Sequence, residues 1–335
     1  MTPKETTILK GVAILFMLYL HLFNSMNQVE LCTNLICIGG IPLAHILSRC
    51  TNPVAIYLLL SGYGLYKTRE RLTARNTSRR LAKLYIHYWI SMGLFVAIGS
   101  VIAPEKYPGT LSDFIVNLTS WHTTYNIQIW FLLPYAIMIL TAPYLFELFE
   151  KKPVITLGAA AMLWGGEYVV MYLYGNSYLY THRFAFIPVV TTSFILPFLI
   201  GAAMARYGIF ERFRTYFADK KMLLAVMLVA VPLLRISTDI DFITQLLFVT
   251  LFLPLFIAWK RPQSVDRFLT EMGNRSTSMW FVHSYFCYYL FHDFIYGFRY
   301  PAAIFLVLLA ASYAAAIVVD RLNGAVQKRI FHGKA

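Results

Sequence analysis

Charge is what this chain has least of. Asp, Glu, Lys and Arg together supply 13% of its 335 residues, against 59% hydrophobic residues, and a water-facing surface of ordinary size cannot be built from so little charge. A soluble globular domain is thereby excluded, leaving a polytopic membrane protein. Cysteine is scarce too. Cys32, Cys37, Cys50 and Cys287 have no metal-ligand spacing, and the first three fall between the first two hydrophobic segments. There they are either unpaired, weakly polar residues or the source of one disulfide on the outer face. No small-residue cleavage site follows the first apolar run, so the N-terminal stretch is expected to be a span and not a cleaved signal peptide. Walker, GxGxxG, HExxH and CxxC patterns are missing, and with them the usual nucleotide, dinucleotide, zinc-protease and thiol-redox sites; no metal is expected. Repeats and low-complexity tracts are missing as well, which predicts one domain over 1–335.

What the chain does have is long apolar runs. About twenty apolar residues cross the hydrocarbon core, and ten stretches qualify as spans: 7–26, 50–66, 80–103, 127–149, 153–173, 184–206, 220–236, 240–259, 276–293 and 300–320. The expected fold is an all-α integral membrane protein, a single bundle of about ten transmembrane helices. The segment Leu111–Trp121 is too short to span. Its Leu111, Phe114, Ile115, Leu118 and Trp121 form one helical face, which predicts a short interfacial helix on the outer surface.

The formal net charge of +13 raises the question of nucleic acid, and the position of the charges answers it. With a cytoplasmic N-terminus, the inner segments hold Lys4 and Lys10, seven basic residues from Lys67 to Lys83, Lys151 and Lys152, five from Arg206 to Lys221, four from Lys260 to Arg275 and four from Arg321 to Lys334. That is 24 of the 29 basic residues. Arg49, Lys106, Arg183, Arg235 and Arg299 are left outside. This bias obeys the positive-inside rule with both termini cytoplasmic, and it explains the net charge without a nucleic-acid partner.

Chemistry concentrates first between Lys10 and His21. At 100° per residue, eleven steps bring His21 to within roughly 20° of the Lys10 face, about 16 Å further along the axis. An ionisable group inside a span faces a polar interior and marks a site, or else is a neutral imidazole bonded between helices; a lysine at an inner helix end can simply snorkel. In Arg79-Arg80-Leu81-Ala82-Lys83, Arg80 and Lys83 share a face suited to a phosphate, although any cytoplasmic loop is basic. His283 lies seven residues after Ser276, about 10 Å along its helix, and can reach the depth of His21 from a different helix. Glu167, after Gly165-Gly166, is an intramembrane carboxyl or a structural hydrogen-bonding partner. Arg183, with Asp239 and Asp241, lines a mouth for a polar substrate or belongs to solvated loops. Ser61-Gly62 lacks the flanks of a nucleophile elbow and fits a close helix crossing better.

These blocks, in this order, resemble the acyltransferase-3 family of integral membrane acyltransferases, which acylate cell-surface carbohydrates from acyl-CoA. The likeness runs from about Thr7 to about Arg321. It is carried by the basic residue, ten positions and His21; by L-L-L-S-G-Y-G-L-Y; by R-R-L-A-K-L-Y; by N-L-T-S-W followed by I-W-F-L around Trp130; by F-L-I-G-A-A-M-A-R; and by G-N-R-S-T-S-M-W-F-V-H ending at His283. Lys10 and Lys83 stand where arginine is usual and Thr7 where aspartate is frequent. Lysine keeps the charge but loses the bidentate fork.

The resemblance implies transfer of an acyl group, most often acetyl, from cytoplasmic acyl-CoA to a carbohydrate hydroxyl, in the plasma (inner) membrane of a bacterium. His21 is then the general base or a transient acyl carrier, with His283 or Glu167 orienting it. Lys10, Arg79, Arg80 and Lys83 hold the donor, and Ser61, Trp130, Glu167 and Arg183 bind or orient substrate. No cofactor is bound permanently; acyl-CoA, a carbohydrate acceptor and the lipid bilayer are the expected partners. The alternative is a transporter or flippase for a polar or lipid-linked glycan, which more typically shows paired repeats and broken helices. A scaffold without catalysis would leave the Lys10–His21 alignment unexplained.

Overall fold

The computed structural model describes residues 1–238 and 241–332. The chain opens with α1 (Pro3–Phe23) and α2 (Met26–Val29), followed by a two-residue antiparallel hairpin, β1 (Cys37–Ile38) with β2 (Ile41–Pro42). Then come α3 (Leu43–Ser48), α4 (Pro53–Lys67), α5 (Ala74–Ile102), α6 (Leu111–Leu118), α7 (Leu132–Lys151) and α8 (Pro153–Thr181). They are followed by α9 (Arg183–Ser193), α10 (Ile195–Arg206), α11 (Ile209–Tyr216), α12 (Lys221–Ile236) and α13 (Asp241–Ala258). The chain finishes with α14 (Gln263–Asn274), α15 (Ser276–Ser284), a π-turn at Tyr285–Tyr289, α16 (His292–Tyr296) and α17 (Pro301–His332).

The fold is that of an all-α membrane protein. Among the described residues, seven helical segments are long and apolar enough to cross a bilayer: Pro3–Phe23, Leu43–Lys67, Ala74–Ile102, Ile127–Lys151, Pro153–Gly175, Arg183–Arg206 and Pro301–Phe331. The other three expected spans are helical but shorter. They correspond to α12, α13 and α15 with its π-turn; residue 240, where the eighth was expected to begin, lies outside the described residues, as do Asp239 and the side chain of Asp241. No disulfide joins the cysteines among the described residues.

Two compact units are interleaved along the chain. The first comprises 1–13, 52–76 and 134–270. Its α4 begins at an Asn52 cap that accepts from the Ala55 N–H, with Pro53 in the first turn. The crossing of α4 with α10 relies on missing side chains. A Cβ on Gly62 would lie 1.8 Å from the Phe198 carbonyl oxygen, and one on Gly201 2.0 Å from that of Leu59, so each backbone lies directly on the other. At one end of this pair, Glu150 gathers the Tyr66 hydroxyl, Arg69 at 3.5 Å and Arg206 at 3.5 Å.

The second unit comprises 14–51, 77–133 and 271–335, and bulky aromatics fill it. Tyr88, Phe95, Tyr107, Tyr125, Phe281 and Tyr285 pack with Met92, Ile129, Leu132 and Val319, and the rings of Phe95 and Tyr285 stack at 4.4 Å. Side-chain hydrogen bonds dock α6 on α5: Tyr88 Oη donates to Asn117 O (2.7 Å) and Trp89 Nε1 to Leu118 O (2.8 Å). A capping box starts α6, with Thr110 N donating to Asp113 Oδ2 (2.9 Å) and Asp113 N to Thr110 Oγ1 (3.2 Å). The helix ends at Leu118, short of the expected Trp121, because Ser120 takes a left-handed conformation (φ 55°). Its Leu111, Phe114 and Ile115 are exposed, as an interfacial helix requires.

Candidate active site

His21 stands two residues before the end of α1, and His283 one residue before the end of α15. In the second unit they meet, with ring centroids 5.0 Å apart and planes inclined at 36°. His283 is fully buried, while His21 is partly exposed. Their hydrogen bonds fix which nitrogen of each ring carries the proton. His283 Nδ1 faces the Trp280 and Met279 carbonyls at 2.8 and 3.2 Å, which accept only, so Nδ1 is the N–H. Its Nε2 is buried with no hydrogen-bond partner among the described residues.

His21 is set by Tyr288. The Tyr288 hydroxyl gives its single hydrogen to the His21 carbonyl (2.6 Å). It can therefore only accept at the 3.2 Å contact with His21 Nδ1, and Nδ1 is again the N–H. Nε2 of His21 is then also a lone pair. In the neutral form of each ring the basic nitrogen is therefore Nε2.

The α15 strut is fixed by Asn126, which is 2% exposed. Asn126 Nδ2 donates to Phe281 O (3.3 Å), and its Oδ1 accepts from Ser284 Oγ (2.8 Å) and Gln128 N (3.1 Å). One amide therefore ties the residues around His283 to the 3-10 turn Ile127–Ile129 that leads into Trp130. Trp130 is partly buried, edge-on to Phe131 at 6.1 Å, and Phe131 is edge-on to Trp280 at 5.5 Å. Tyr288, Asn126 and Ser284 are not anticipated by the sequence reading. An asparagine before I-Q-I-W-F is a readable cap signal, whereas nothing in Y-F-C-Y-Y advertises Tyr288.

A family model described as an acyltransferase domain matches residues 6–321, nearly the whole chain and both histidines. The chain belongs to the acyltransferase-3 family. It is therefore a multi-pass membrane acyltransferase. No curated protein and no solved structure matches it.

In this acyltransferase the remaining expected site residues fall into two groups. Arg79, Arg80 and Lys83 lie near the start of α5, in the same unit as the histidines. Arg79 Nη2 donates to Phe331 O at 3.5 Å, and Arg79 and Lys83 each lie 5.4 Å from the Phe331 ring centroid; Arg80 is exposed. Lys10, Ser61, Glu167 and Arg183 belong to the first unit. Lys10 is exposed on the same continuous helix that carries His21. Ser61 Oγ shares a hydrogen bond with the Tyr135 hydroxyl (3.0 Å) beside the Gly62 crossing. Glu167 pairs with the Ser193 hydroxyl, and buried Arg183 places its guanidinium 4.4 Å from the Phe186 ring centroid. Among the described residues, no cluster of three His, Cys, Asp or Glu side chains could hold a metal ion.

Proposed function

We propose that this acyltransferase moves an acyl group, acetyl as the first choice, from cytoplasmic acyl-CoA to a hydroxyl of a cell-surface or lipid-linked carbohydrate at the plasma membrane of a bacterium. The observation that carries the chemistry is the His21–His283 pair, in which Nδ1 of each ring is engaged and Nε2 of His283 has no hydrogen-bond partner among the described residues.

In this reading the acceptor hydroxyl gives its proton to His21 Nε2 as its oxygen attacks the thioester carbonyl. The tetrahedral intermediate collapses, the C–S bond breaks, and the CoA thiolate takes the proton back from His21. While His21 carries the charge, Tyr288 accepts from Nδ1–H, and the buried Nε2 of His283 is a second acceptor beside the ring. Such preplaced acceptors lower the cost of forming an imidazolium away from water. The same arrangement favours a base over an acyl carrier, because an acylated His21 Nε2 has no proton to give its neighbour. Arg79, Arg80 and Lys83 take the donor's phosphates, and Lys10 is a further candidate for that role.

The test is O-acetylation of surface polysaccharide in cells carrying the wild-type chain or His21→Ala at matched protein levels. Loss of the acetyl groups is expected. Unchanged acetylation sinks the role of His21. Binding of acyl-CoA to the purified chain, weakened by Arg80→Ala, is the expected companion result.

A further inference from the structure

A second polar chain runs through the same unit and takes no part in the mechanism above. His87 on α5 places Nε2 2.6 Å from Ser278 Oγ on α15. Ser278 in turn bonds Asp320 Oδ1 on α17, while Asp320 Oδ2 accepts from Arg275 Nη1 at 2.9 Å. Arg275 continues to Glu271 (2.7 Å), which also accepts from the Tyr313 hydroxyl (2.8 Å). Protons can be assigned along it. Asp320, paired with Arg275, is a carboxylate and only accepts, so Ser278 donates its one hydrogen to Asp320. Ser278 must then accept from His87, and Nε2 of His87 is the N–H. The lone pair of His87 is left on Nδ1, which has no hydrogen-bond partner among the described residues.

That lone pair lies in line with the basic pair. Arg80, Lys83 and His87 occupy positions i, i+3 and i+7 of one helix and share a face, with His87 about 10 Å inward from Arg80. The His87 side chain is 12% exposed. His87 Nδ1 is therefore an acceptor that is not sealed inside the protein and stands open to a donor from outside it. The face thus reads cation, cation, neutral acceptor, from the exposed start of α5 inward. A ligand with phosphates at one end and a neutral arm bearing N–H and O–H donors has the complementary order.

We propose that His87 Nδ1 is a donor-binding group that accepts a hydrogen bond from the hydroxy-amide arm of acyl-CoA, between its phosphates and its thioester. This rests on acyl-CoA being the donor. The Arg275–Asp320–Ser278 chain acts through His87, holding its tautomer and ring orientation.

The test uses the purified full chain in lipid nanodiscs and two probes: CoA, and adenosine 3′,5′-bisphosphate, which lacks the arm. His87→Phe is expected to weaken CoA about tenfold, the effect of one hydrogen bond, and to leave the bisphosphate unchanged. His87→Asn, whose side chain returns an acceptor near Nδ1, should recover part of the loss. Ser278→Ala should reproduce the same selectivity with a smaller drop. Equal binding of CoA by wild type and His87→Phe overturns the proposal, and so does a parallel loss of both probes, which would make His87 structural. Failure of the wild-type chain to bind either probe overturns the acyl-CoA reading itself, and the role of His87 with it.

Discussion

The two units of this acyltransferase differ in what sets their closest helix contacts. In the first, Gly62 and Gly201 remove side chains so that α4 and α10 touch backbone to backbone. In the second, helices are spaced by rings and joined by side-chain hydrogen bonds, among them those of Tyr88, Trp89, Asn126 and Tyr288. Backbone contact gives rigidity and van der Waals packing but leaves no room for a reacting group. A side-chain network is less dense, yet it fixes proton positions, which the paired imidazoles require. The histidines sit in the unit built the second way.

This contrast predicts a separation of effects. His21→Ala should lower acyl transfer by about a thousandfold, within the range for loss of a general base, while the thermal unfolding of the purified chain stays near wild type. Gly62→Ala should do the reverse, costing about 3 kcal/mol of stability through overpacking against Phe198 O; it is read as a lowered unfolding temperature and reduced yield. A Gly62→Ala chain as stable as wild type would erase the distinction between the units. Asn126→Ala should cut turnover about tenfold by loosening the His283 strut, with little change in apparent acyl-CoA affinity. A loss expressed in affinity alone would mean that Asn126 does not act through His283.

The smallest effect concerns α6. The Thr110 hydroxyl and N–H hold the Asp113 carboxyl below its ordinary value. A carboxyl depressed in the fold stabilises above its unfolded value, and this contribution is lost as the pH falls through the folded one. Hydrogen exchange in α6 should therefore speed up only in acid, below the usual carboxylate range. Thr110→Val, which deletes the hydroxyl and keeps the N–H, should weaken that pH dependence.

Much of this molecule is legible in the sequence. Its apolar runs mark where the long helices lie, because a bilayer demands continuous hydrophobic length. His21 and His283 stand out as ionisable groups inside apolar segments, and the structure brings them together. The low content of charge makes them conspicuous. Asn126, Ser284 and Ser278 are small uncharged residues, and a pattern search has no reason to choose them over many similar ones. His87 lies only four positions beyond Lys83, yet no local pattern singles it out, because its partners Ser278 and Asp320 come from helices far along the chain. The Gly62 crossing is legible from S-G-Y-G, whereas its partner Phe198 is not, since no local pattern names a contact more than a hundred residues away.

The π-turn at Tyr285–Tyr289 bears on how this protein can vary. Five residues along a regular α-helix turn a side chain by about 140° from its starting direction, so Tyr288 could not share a face with His283. A π-turn closes its ring at the fifth residue, and the Leu290 N–H bonds Tyr285 O accordingly. Tyr288 is thereby returned to the histidine side. The extra residue acts as a reading frame for side chains. Removing one residue from this turn would keep both histidines and Tyr288 in the sequence and still uncouple Tyr288 from His21, so a deletion at this turn disturbs the histidine pair more than a substitution does.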